Sequence, residues 1–116
     1  MRQSSRTNLY NMDEQQLYIE NCILGVWENE NYSFTFQGGT PKHLSITDKI
    51  NAPKTGTNYL YHIVKENFYY ILRLIITDGH NLAAIDYKIV NIDCAAGILV
   101  ISTDGAKWEL KKVSEY

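Results

Sequence analysis

Apolar and polar residues alternate in two runs, Thr57 to Lys65 and Phe68 to Thr77, which meet at the polar pair Glu66-Asn67. Both runs are rich in β-branched and aromatic residues, and such runs around a two-residue polar step predict a β-hairpin. Asn67 tolerates the positive φ of a tight hairpin turn, so Glu66-Asn67 is the expected turn. That register sets Tyr59, Tyr61 and Ile63 against Leu74, Leu72 and Tyr70 on the more apolar side. Leu60, His62 and Val64 then face Arg73, Ile71 and Tyr69 on the other.

The same alternation continues on both sides of the hairpin. Residues 1–10 are polar and read as a flexible N-terminus, with 11–116 as one domain. Asn11 or Asp13 is placed to cap a lead-in helix over 13–21, whose first turn carries the acids that the helix dipole favours. Its apolar stripe is thin, so it is expected to lie on a sheet. Ile23 to Trp27, Tyr32 to Gln37 and Leu44 to Thr47 read as strands, with Tyr32, Phe34, Phe36, Leu44 and Ile46 inward. Asp78-Gly79 closes the central hairpin, and Ala84 to Ile92 alternates again. Ile98 to Ser102 and Lys107 to Lys112 flank Asp104-Gly105, the strongest turn signal in the chain, which sets Ile101 opposite Trp108 and Leu99 opposite Leu110. About eight strands with short connections leave no helical crossover for parallel pairing. The fold class is therefore all-β, an antiparallel up-and-down barrel of about eight strands with a short N-terminal helix. Closure removes the exposed edges that an open meander would leave. A two-sheet β-sandwich is the alternative.

At 116 residues the chain can form one core. Nine tyrosines favour strands over helices. A net charge of −2 argues against nucleic acid as a partner, since phosphate backbones call for clustered Lys and Arg. No run approaches the ~20 apolar residues of a membrane span. Neither a secretory signal nor a lipobox before Cys22 is visible, which leaves the cytoplasm as the default location. Cys22 and Cys94 have neither metal-box nor redox-motif spacing. They read as two small buried hydrophobes. In a closed barrel they start the first and seventh strands with the eighth between them, roughly 10 Å apart at ~4.8 Å per strand, beyond the ~7 Å reach of a disulfide unless the lead-in bends across the barrel end, the alternative reading.

Gly25-Val26-Trp27 on the first strand and Trp108-Glu109-Leu110-Lys111-Lys112 on the last resemble the calycin pattern, in particular the small lipocalin-like domains of bacteria. The resemblance spans residues 23 to 113. It implies that Trp27, following Gly25, plugs the closed end of a barrel, with a basic side chain of the last strand across its indole. Lys112 shares the inward side of Trp108 and Leu110 and is the candidate; Lys111 points out.

Two candidate surfaces follow. The inward face, with Phe34, Phe36, Tyr59, Tyr61, Tyr70, Leu72 and Tyr87, suits a small hydrophobic molecule oriented by tyrosine hydroxyls, unless the rings simply fill the barrel. The outer hairpin face carries Leu60, Val64, Tyr69, Ile71 and Ile75 around His62 and Arg73, a row that fits a homodimer or protein partner unless the helix covers it through Leu17, Tyr18 and Ile19. His43, His62 and His80 lie on separate segments without metal-ligand spacing, and no nucleophile or oxyanion loop accompanies them. Gly38-Gly39 opens no helix and reads as a turn. The expectation is a non-catalytic protein without cofactor or metal, binding a small hydrophobic ligand in its interior or a protein through the outer face of 57–77.

Overall fold

The computed structural model describes residues 13–78 and 81–115. The flexible segment expected over 1–10 lies outside the described residues, as do Gly79 and His80. Helix α1 (Glu14–Cys22) is followed by β1 (Gly25–Glu28), β2 (Tyr32–Gln37), β3 (His43–Asp48), β4 (Gly56–Glu66), β5 (Tyr69–Asp78), β6 (Asn81–Asp93), β7 (Ile98–Thr103) and β8 (Ala106–Ser114). Each strand pairs antiparallel with the next, and β8 returns to β1 to close the barrel. The sandwich alternative is thereby excluded.

Alternation decides which side chains fill the interior. Trp27, Phe34, Phe36, Leu44, Tyr61, Leu72, Leu74, Leu99, Ile101 and Leu110 are completely buried. The last hairpin has the expected register, with Ile101 opposite Trp108 and Leu99 opposite Leu110. Its turn residues Asp104 and Gly105 both take positive φ, 49° and 81°, as a type I′ turn requires.

Three expectations need correction. The central hairpin turns at Asn67-Phe68, with Glu66 paired to Tyr69 and Tyr61 to Leu74. Asn67 occupies the leading turn position at φ 56°. The pairing is offset by two residues from the expected one, and an even offset keeps every side chain on its face. The first strand begins at Gly25, because Ile23 still belongs to the helix end and donates its N–H to the Ile19 carbonyl. Finally, Cys22 and Cys94 form a disulfide, their Cα atoms 5.6 Å apart. Cys22 does not run in line with β1; the lead-in bends across the barrel end, the condition under which a bond was expected. Cys22 ends α1, which lies across the barrel end and carries the sulfur to the β6–β7 turn.

Asp13 starts that helix, its Oδ1 accepting the Gln16 N–H at 2.7 Å. Gln16 donates its amide to the Ile63 carbonyl of β4 at 3.1 Å, and the Tyr18 hydroxyl accepts the Cys94 N–H at 3.0 Å. Ile19 and Ile23 enter the core, while Leu17 and Tyr18 stay exposed.

Candidate functional site

The inward rings form a continuous column. Tyr61 meets Phe36 edge-on at 5.3 Å, Phe36 leads to Phe34 at 6.2 Å, and Phe34 meets Trp108 edge-on at 6.2 Å. Trp108 then stacks on Tyr32 at 4.9 Å and 10° and touches Tyr87 at 5.8 Å. Phe34, Phe36, Tyr61 and Leu72 have no exposed surface, so these four proposed pocket residues are packing material. An eight-stranded barrel is only wide enough to be filled by its side chains or to hold one small ligand.

The two ends differ. At the α1 end, Trp27 donates its indole N–H to the Ile23 carbonyl at 2.8 Å, and the Lys112 ammonium lies 5.3 Å from its ring centre. Lys112 also donates to the Cys22 carbonyl and to Glu115, both at 3.1 Å. Gly25 makes this approach feasible. It sits at φ 124°, and a Cβ there would run into the Ser114 carbonyl oxygen and the Lys112 Cε. Trp108, grouped with these residues on sequence grounds, stands at the opposite end.

That opposite end is the mouth. Tyr32 and Trp108 are half-buried there, beside Asn29, Asn31, Lys107 and Glu109, around a recess of about 280 Å³. Burial pushes the Tyr87 hydroxyl above its usual pKa, helped by the nearby Tyr59 and Tyr32. Tyr59, half-buried, therefore belongs with Tyr87, whereas Tyr70 stands apart, donating its hydroxyl to Asp13 at 2.9 Å. Inward alternation marked Tyr32 in the sequence; its stacking on Trp108 depended on the closure of the barrel.

Tyr61 points its hydroxyl the other way, donating to the Gln37 carbonyl at 3.4 Å. Burial and the Glu20 carboxylate raise its pKa well above the tyrosine range. Glu20 lies 3.7 Å from the Lys42 ammonium, but its Oε1 accepts no hydrogen bond from the described residues.

On the outer face of the hairpin, Arg73 stands between His62 and Asp86. It donates to both Asp86 oxygens at 2.8 and 2.9 Å and to Glu66 at 3.1 Å. These bonds hold Asp86 below the usual carboxylate range and raise Arg73 further. Ile71 is buried on this outer face, flanked in register by Val64 and Lys88. Leu60, Val64, Tyr69 and Ile75 remain half-exposed, and His62 is exposed. Helix α1 lies over the barrel end and leaves this face open.

Among the described residues no three His, Cys, Asp or Glu side chains gather as metal ligands do, and no helix is long and apolar enough to cross a membrane. No family model, no curated protein and no solved structure matches the chain.

Proposed function

We propose that this chain is a non-catalytic, lipocalin-like binding module, and that its small hydrophobic ligand rests at the mouth of the barrel rather than deep within it. The observation that carries this reading is the Tyr32–Trp108 stack, half-buried above a ring-filled interior. A planar apolar molecule laid on this layer gains aromatic contact, and the hydroxyls of Tyr32, Tyr59 and Tyr87 supply orientation. The Gly25-Val26-Trp27 strand, with Lys112 across the indole, supports kinship with the small calycin barrels of bacteria. The Cys22–Cys94 bond supports an oxidising compartment over the cytoplasmic default. Titration with the neutral dye Nile red tests the mouth. Saturable uptake that changes Trp108 emission and weakens at least fivefold in Tyr32→Ala is expected; uptake indifferent to Tyr32 refutes it.

A second reading is a homodimer or protein partner on the outer face of β4–β6. It is favoured by the half-exposed row Leu60, Val64 and Ile75 that α1 leaves uncovered. Sedimentation should then show a dimer that Val64→Glu dissociates. A monomer at all concentrations, with no partner retained, removes this reading.

A further inference from the structure

The barrel wall has an opening in its side. Pairing between β5 and β6 stops at Tyr70–Ile89, whereas β6 continues along β7 to Asp93–Ile98 after a bulge between Ile89 and Asn91. By that level β5 has already turned through Asn67-Phe68 into β4. The β6 backbone from Val90 to Ile92 therefore has no strand beside it on the β5 side. Helix α1 roofs the gap with Gln15 and Ile19, leaving a space of about 540 Å³ between helix and strands. That volume falls in the range of small-molecule sites, roughly 300–1,000 Å³. The roof is fixed at both ends, through Asp13 to Lys65 and Tyr70 and through the Cys22–Cys94 bond, so the space does not have to be opened by a ligand.

Its chemistry is two-sided. Ile19 in the roof and Ile89 in the floor are buried core residues, and Tyr70 and Ile92 pack against the core. The lips are mixed, with Phe68 98% and Val90 42% exposed beside the polar Gln15 and Asn91. At the outer lip stands Lys88, its ammonium 4.7 Å from the centre of the Tyr69 ring. Among the described residues Lys88 has no carboxylate partner. Of the other nearby cations, Lys65 is paired with Asp13, and Arg73 is shared by Asp86 and Glu66, a group that keeps one net negative charge. The opening thus offers apolar surface beside a lysine ammonium that has no ion pair among the described residues.

We propose that this side opening binds a single-chain fatty carboxylate, its chain over Ile19, Ile89 and Ile92 and its carboxylate at Lys88. The site is independent of the mouth, on the other end of the barrel. Calorimetric titration with monomeric dodecanoate tests it. One saturable site is expected, weakened at least tenfold by Lys88→Ala and lost in Val90→Trp, which fills the lip. Dodecanol, lacking the charge, should bind wild type and Lys88→Ala alike. Lys54→Ala, removing an exposed lysine in the β3–β4 loop, should leave dodecanoate affinity unchanged. Lys88 and Val90 are exposed, and near-UV circular dichroism would verify that both variants keep the native fold. Absence of saturable binding, or binding that either Lys88→Ala or Val90→Trp leaves intact, overturns the proposal.

Discussion

The Lys112 ammonium lies 5.3 Å from the centre of the Trp27 ring and donates to the Cys22 carbonyl at 3.1 Å, so one side chain of the last strand ties the first strand to the helix. A helix terminus leaves its final carbonyls without intrahelical partners, and the ammonium satisfies one of them. The β1–β8 seam is where the barrel closes, and Trp27 pairs with Lys112 across it.

Removing that cation should weaken the seam. Lys112→Met keeps most of the stem but loses the ring contact and the carbonyl bond, together about 1–2 kcal/mol. Urea denaturation should show the loss. An unchanged midpoint would mean that the charge contributes nothing there.

Gly25→Ala should cost more, at least about 2 kcal/mol. The new methyl meets the Ser114 carbonyl, and an L-residue is disfavoured at φ 124°. Thermal unfolding measures it. A variant as stable as wild type would mean that β8 can shift without penalty.

The disulfide closes a loop of 72 residues, worth about 4 kcal/mol in the chain-entropy description. Cys22→Ser with Cys94→Ser should lower the melting temperature markedly and speed amide exchange over 14–22, while the strands stay protected. Uniform exchange across helix and barrel would show that α1 does not loosen separately.

Acid should release the start of the helix. The Gln16 N–H, then Lys65 and Tyr70, hold the Asp13 carboxyl at about 2, below its usual range near ~4. A folded-state pKa below the unfolded one means that the unfolded chain takes up the proton first. The stabilisation is complete above about 4 and fades as pH falls through about 2. The stability difference between wild type and Asp13→Asn should shrink across that window. A difference constant from pH 5 to 2 would rule out this anchor.

Much of the barrel was legible because strand alternation is a local property. Phe34, Phe36, Leu99 and Leu110 announce their faces through their immediate neighbours, and Asp104-Gly105 dictates its own turn chemistry. The inward rings were equally visible, but whether they line a cavity or fill it depends on barrel width, which no single strand encodes. The shift from Glu66-Asn67 to Asn67-Phe68 was invisible for a related reason: an offset of two residues leaves the apolar pattern unchanged. The resting place of α1 was undetermined because its buried stripe is little more than Ile19 and Cys22, too narrow to specify an angle. Sequence by itself thus determined the strands, their order and their inward faces, since these follow from period and turn propensity. Only the tertiary structure decided the Cys22–Cys94 bond, the Tyr32–Trp108 layer and the gap beside Val90. Each depends on where separate segments meet in space once the sheet has curled shut.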